Sequence, residues 1–183
     1  MNELRAFILN LAREAIETYV KTGKKIPVPK EYPEEMKENK GVFVTIYKKP
    51  RELRGCIGIP YPEMPLIDAL IEASVCVCSD PRFPPLSKEE LENIFIEVSI
   101  LTEPEPVKTK DIKSEVKIGK HGLIIKMGFQ GGLFLPQVPV EQKWNIDEYL
   151  ENLCYKAGLT ADSWLDPDCK LYKFETEIFE EKL

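Results

Sequence analysis

Proline interrupts this chain at short intervals, and that spacing limits what it can fold into more than any other feature. Fifteen of the 183 residues are proline, and each removes a backbone donor and fixes φ at about −65°. Pro27, Pro29 and Pro33 forbid regular structure between about residues 24 and 40. Pro60 and Pro62, then Pro81, Pro84 and Pro85, then Pro104 and Pro106 break it again. What remains between the breaks is room for single helices and short strands, and the hydrophobic pattern fills it with both.

Leu4, Phe7, Ile8, Leu11, Ala15, Ile16 and Tyr19 recur at three- and four-residue intervals between Asn2 and Gly23, which predicts an amphipathic helix with a cap at each end. Val42, Val44 and Ile46 alternate with Phe43, Thr45 and Tyr47. The turn Lys49-Pro50-Arg51-Glu52 then leads into a second strand through Leu53 to Ile57, so this region reads as a hairpin. A second helix is expected from Met64 to Val75, and an ordered loop over Ser79 to Pro85. Ser87 and Glu90 make a capping-box pair opening a short helix, followed by a strand from Ile94 to Leu101. A polar stretch runs to Lys120. Beyond it, Leu123 to Met127 and Leu133 to Leu135 flank Gly128, Gly131 and Gly132 as a second hairpin. Asn145 and Glu148 cap a helix that stops at Gly158, and Tyr172 to Ile178 alternate as a last strand. Hairpin, helix, strand therefore occurs twice, at 41–101 and 123–179. The expected fold is α+β: antiparallel sheets covered by helices, in two unequal subdomains (1–22 with 41–101, and 123–179) with a duplicated plan and a cleft between them.

The chain suffices for one domain or two small packed lobes. It contains no apolar run long enough for a membrane span. The N-terminal residues lack the pattern of a secretory signal, so a cytoplasmic location and no membrane partner are expected. A net charge of −6 opposes general nucleic-acid binding. Lys48, Lys49, Arg51 and Arg54 form a local basic cluster that reads as a solvated hairpin tip. The abundance of Lys and Glu leans thermophilic. Five cysteines rule out a complete intramolecular disulfide framework. Cys76-Val77-Cys78 matches no zinc spacing, and His121 is the only histidine, so no metal site is expected. No G-K-[ST] follows the glycines of the second hairpin, so they are no phosphate loop. The cofactor, if there is one, stays unknown from the sequence.

Six consecutive residues, Leu53-Arg54-Gly55-Cys56-Ile57-Gly58, place a cation, a thiol and two permissive backbone positions together. This segment resembles the hallmark motif of the AMMECR family, named for the Alport syndrome, mental retardation, midface hypoplasia and elliptocytosis chromosomal region. Asp80-Pro81-Arg82-Phe83-Pro84-Pro85-Leu86 resembles the family's second motif. Glu97-Val98-Ser99, Gly119-Lys120-His121-Gly122-Leu123, Leu135-Pro136-Gln137-Val138, Trp144 and Lys156-Ala157-Gly158 resemble its later blocks. Together they span nearly the whole chain. The resemblance implies an α+β fold of two unequal subdomains with a cleft. It implies no settled activity, although relatives occur linked to Memo-type and radical-SAM proteins, an association that points to enzymology or macromolecular modification.

Read for chemistry, Cys56 is the candidate nucleophile, with its thiolate stabilised by Arg54, or else a small buried hydrophobe. His121 is the candidate base or an ordinary turn residue, and Glu97 is the second candidate base if burial raises its pKa. Arg54 and Arg82 either bind an anionic ligand or pair with Glu97 and Asp80 to hold the loop. Ser99 and Gln137 are candidate polar specificity groups in the same cleft. The sequence thus favours an enzyme or enzyme subunit acting on a small or modified substrate, with a noncatalytic adaptor that binds a protein partner as the alternative.

Overall fold

The computed structural model of the chain describes residues 2–182. It is an α+β fold. Among the described residues two antiparallel four-stranded sheets combine with five α-helices, and the chain divides into two compact units, residues 1–101 with 177–183, and residues 102–176.

The first unit opens with α1 (Asn2–Thr22), in which Ile8, Leu11, Ala15 and Ile16 of the expected stripe are buried together with Ala12, while Leu4, Phe7 and Tyr19 are partly buried against the same core. The helix stops at Gly23, which takes φ 72° and closes on the Tyr19 carbonyl. The helix begins at Asn2 itself, and the side chain expected to cap it lies outside the described residues. After the proline-rich stretch come β1 (Val42–Lys48) and β2 (Glu52–Ile59), then α2 (Leu66–Cys76) and β3 (Ile94–Leu101). Alternation sorts the strand residues to two faces. Val42, Val44 and Ile46 of β1 and Ile94, Ile96, Val98 and Ile100 of β3 join the helical residues in one apolar core. The other row of β1, Phe43, Thr45 and Tyr47, stands beside Ser99, Glu97 and Phe95 of β3. The strand order is β2-β1-β3-β8, the last strand β8 (Thr176–Glu180) coming from the C-terminus.

The second unit holds β4 (Glu105–Val107), α3 (Ile112–Glu115), β5 (Gly122–Met127), β6 (Gln130–Phe134), α4 (Gln137–Glu141), α5 (Ile146–Lys156) and β7 (Lys170–Phe174). Its strand order is β4-β7-β5-β6. Leu123 and Ile125 of β5, Leu171 of β7 and Tyr149, Leu150, Leu153 and Cys154 of α5 build a separate core.

Several elements differ from the expected ones. The single final strand is two: backbone pairing breaks at Glu175, sending β7 to one sheet and β8 to the other. The helix expected after Ser87 is only a 3₁₀ turn, Lys88–Glu90. The polar stretch after Pro106 contains α3, and α4 contains Pro139 within its five residues, a position that composition alone argues against.

Candidate functional site

Strand β2 carries a bulge. Ile46 faces Gly55 but Tyr47 faces Leu53, so Arg54 is the extra residue. A bulge re-aims a side chain, and Arg54 turns away to the 84–90 segment. Its Nε and Nη2 grip Glu90 at 2.7 and 3.0 Å, and Nη2 also donates to the Pro84 carbonyl at 2.9 Å. The side chain is 8% exposed. The expected cation beside the Cys56 thiol is therefore not what Arg54 provides, and its acidic partner is Glu90 rather than Glu97 or Asp80. Glu90 also accepts from the backbone of Ser87 at 2.9 Å, completing its half of the capping box. The Arg54 guanidinium holds the Glu90 carboxyl down to about 2.

Past the bulge, Cys56 lies directly opposite Thr45, which in turn lies opposite Glu97 on β3. The three side chains form one row across β2, β1 and β3. The backbone N–H of Cys56 points outward and donates to Asp80 Oδ2 at 2.9 Å, while its carbonyl accepts from Arg82 Nη2 at 3.1 Å. Thr45 and Cys56 are thus a non-hydrogen-bonded pair, the closer of the two antiparallel arrangements. The Thr45 hydroxyl accordingly reaches the Cys56 sulfur, donating to it at 3.2 Å.

Asp80 ties this edge together. It is 2% exposed, and besides the Cys56 N–H it accepts from Arg82 Nε at 3.0 Å, Arg82 Nη2 at 2.7 Å and the Arg82 N–H at 3.0 Å. The Arg82 contacts come first among the causes that hold its carboxyl far below the usual carboxylate range. Asp80 and Arg82 present β2 with an acceptor and a donor where a neighbouring strand would, so the sheet edge is closed at Cys56. Gly55 packs against the Val77 carbonyl, 3.1 Å from where a Cβ would stand. The hallmark segment and the proline-rich loop, distant in sequence, are one interlocked structure. Burial pushes the Cys56 thiol up, with the Thr45 bond and Arg82 acting in the opposite sense. The thiol is a partly buried SH group at neutral pH.

Glu97, 5% exposed, pairs with Arg51 at 2.9 Å, and Arg51 lies over Tyr47 and Phe95, whose rings stack at 5.1 Å. Arg51 also meets Glu180, and Lys48 meets Glu90, so the basic cluster at the hairpin tip is matched by carboxylates. Ser99, 2% exposed, follows Glu97 along the same face. The structure brings Cys56 and Arg82 to Asp80, which the sequence offered only as a loop-holding partner of the arginines, and Cys56 and Glu97 to Thr45, which sequence reasoning did not single out. The hairpin register, which sets Thr45 across from Cys56, was the available signal for it.

His121 and Gln137 belong to the second unit. Gln137 begins α4 and is half-buried. His121 closes a turn in which its N–H donates to the Lys117 carbonyl at 2.9 Å and its Nδ1 accepts from the Lys117 N–H at 3.1 Å. With Nδ1 accepting, the ring proton of the neutral form resides on Nε2. Burial holds the ring below its ordinary pKa against the pull of Glu175. As placed, His121 is a neutral donor, and a base would need the lone pair that Lys117 occupies.

Comparison with known proteins decides the family. The AMMECR1 family matches residues 9–179. The chain belongs to the AMMECR1 family. A protein of Methanocaldococcus jannaschii is 52% identical over 180 residues, covering 96% of this chain and 89% of the relative. One of Thermococcus gammatolerans is 48% identical over 188 residues, covering 99% and 92%. The crystal structure of an uncharacterized protein from Pyrococcus horikoshii superposes with a TM-score of 0.91 at 48% identity, covering 98% of this chain and 92% of that one. These AMMECR1 relatives come from thermophilic archaea, in line with the Lys- and Glu-rich composition. No described helix is long and apolar enough to cross a membrane.

Proposed function

We propose that this AMMECR1-family chain is an enzyme, or a subunit of one, in which the Cys56 thiol acts on a small anionic substrate held by Arg82. The observation that carries the reading is the grip of one buried carboxylate, Asp80, on both the Cys56 backbone and the Arg82 guanidinium. It fixes a cation beside a sulfur while the Arg82 side chain stays 56% exposed. A guanidinium held in this way is preorganised for a carboxylate or phosphate. Thr45 and Glu97 supply the other half. The Thr45 hydroxyl, which donates to the Cys56 sulfur, stabilises the thiolate form in which the sulfur acts, and Glu97, opposite Thr45 on the next strand, is the candidate proton acceptor of the same row. Ser99 lies next along the face as a polar contact. In this reading Arg54 positions the loop.

The test uses Cys76, exposed and 3.7 Å from Glu72, as an internal reference. Alkylation by anionic iodoacetate is compared with alkylation by neutral iodoacetamide, site by site. The iodoacetate-to-iodoacetamide rate ratio at Cys56 should exceed that at Cys76 by roughly tenfold, the effect of about 1.4 kcal/mol of charge attraction. Arg82→Gln should remove the difference. Equal ratios at the two cysteines, or a Cys56 ratio untouched by Arg82→Gln, would sink the proposal.

One feature favours the noncatalytic adaptor as the second reading. Pro81, Arg82, Pro84 and Pro85 are exposed on a loop already held by Arg54 and Asp80, a surface that would lose little freedom on docking to a protein. A partner protein whose binding survives Cys56→Ser and fails with Phe83→Ala would decide for it.

A further inference from the structure

The block around His121 faces a cavity of its own unit. Within the second unit a recess of about 300 Å³ is lined by Thr102, Glu103, Glu105, His121, Lys173 and Glu175, with Phe174 as its apolar floor. This is the lower end of the range of small-molecule sites. The His121 side chain is 9% exposed, and its Nε2 has Glu175 Oε1 at 3.7 Å, beyond hydrogen-bonding distance. The ring N–H of this mostly buried side chain thus opens on the recess with Glu175 too far away to accept from it.

The other lining groups sort by chemistry. On the donor side, the Thr102 oxygen accepts the Glu175 N–H at 2.9 Å, which leaves the hydroxyl proton to be given elsewhere. Lys173, 20% exposed on its side chain, stands 3.4 Å from Glu115 and 3.9 Å from Glu105. On the acceptor side, Glu103 and Glu105 are exposed at the rim, and Glu175 is joined by Lys120 at 3.0 Å. Three carboxylates face one lining ammonium and one neutral imidazole. A simple anion would be repelled by the rim, and a simple cation would leave the His121 and Thr102 donors unanswered.

We infer that this recess binds an amino-acid-sized zwitterion, its carboxylate on His121 Nε2 and the Thr102 hydroxyl and its ammonium group on Glu103 and Glu105. The surplus of negative charge favours a basic amino acid over a neutral or acidic one. The ring of His121 would be a binding group here, and its fixed tautomer, set by Lys117, suits it to donate.

The only histidine of the chain makes the test direct. The imidazole resonances of His121 are followed by NMR while lysine, alanine, glutamate, acetate or methylammonium is added to the full chain. Lysine should give a saturable shift at concentrations below about 10 mM. Its affinity should exceed that for acetate or methylammonium by roughly tenfold. The double substitution Glu103→Gln, Glu105→Gln, at two exposed side chains, should weaken lysine by a similar factor while the unliganded spectrum keeps its dispersion. His121 resonances that stay unmoved by lysine, that answer acetate as strongly as lysine, or that respond identically in the double variant would each overturn the inference.

Discussion

In the first unit the strand after the helix, β3, returns beside β1, the first strand of a hairpin; in the second unit β7 returns beside β5 in the same position. The resulting orders, β2-β1-β3 and β6-β5-β7, match strand for strand, and the longer helix between hairpin and third strand, α2 in the first unit and α5 in the second, contributes to the apolar core of its unit. The fixings differ. The first hairpin is tied down by charge: Arg54 to Glu90, Asp80 to Arg82 and Cys56, and Arg51 to Glu97. The second relies on close apolar packing, with Gly132 against Ala157 and Phe134 against Trp144. One wiring plan thus carries two kinds of energetics, and the polar kind coincides with the candidate thiol site.

The sharpest way to break this contrast is to cut the ion pair of the first hairpin. Glu90→Gln leaves the guanidinium of Arg54, 8% exposed, without its counter-charge, and should cost about 3 kcal/mol in urea unfolding. A cost below about 1 kcal/mol would class the pair with ordinary surface bridges. The pH dependence adds a signature. Arg54 lowers Glu90 from 4.5 to about 2 in the folded chain, so the unfolded state binds its proton first. The contribution is therefore complete above about pH 4.5 and is lost as pH falls toward 2. The gap between wild type and Glu90→Gln should narrow over that interval and stay constant above it.

The glycines sharpen the comparison at a second level. Each sheet sets a glycine across from a phenylalanine: Gly58 opposite Phe43, and Gly122 opposite Phe174. A Cβ would meet the rings at 2.3 and 2.2 Å. The geometry is alike, but Phe174 is buried whereas Phe43 is half-buried and has room to swing. Gly122→Ala should therefore cost about 2 kcal/mol, and Gly58→Ala about half of that. Equal costs, measured by thermal and urea unfolding, would mean that the second unit is not the more tightly packed of the two.

Much of this was readable from the sequence, and where the reading stopped has a physical cause. The helix from Leu4 to Tyr19 and the β1 and β3 strands declare themselves because one face of each is continuously apolar. The recurrence of hairpin, helix and strand follows from such segments alone. The break at Glu175 is invisible to alternation, since β7 and β8 share one period and differ only in which sheet receives them. Arg54 illustrates the limit at the site. Its neighbours in sequence place it beside Cys56, but a one-residue bulge turns it to Glu90. Bulges depend on the partner strand. Asp80 could be seen as part of a motif, yet its two-sided grip on Cys56 and Arg82 needs the loop to return to β2. His121 was legible as a titratable group, whereas its tautomer depends on the turn back to Lys117.

The smallest expected effect concerns the caps, which repeat in both units but on helices of different length. Asn145 accepts from the N–H groups of Asp147 and Glu148 at 2.9 and 3.0 Å, while Glu148 accepts from the Asn145 N–H at 2.8 Å. These bonds satisfy otherwise unpaired donors at the start of an eleven-residue helix. Asn145→Ala should cost about 1 kcal/mol. Ser87 has the same sequence pattern with Glu90, but the helix behind it is a three-residue 3₁₀ turn. There the Glu90 half of the box is held independently by Arg54. Ser87→Ala should therefore cost only a few tenths of a kcal/mol. In the Glu90→Gln background the charge pairing to Arg54 is gone, so the effect of Ser87 there reports its cap without that ion pair. A double-mutant cycle on Ser87 and Glu90 separates these contributions. A coupling energy near zero would mean that Arg54 alone orders the start of the turn, whereas about 1 kcal/mol would make the cap a working part of the polar lock around Cys56.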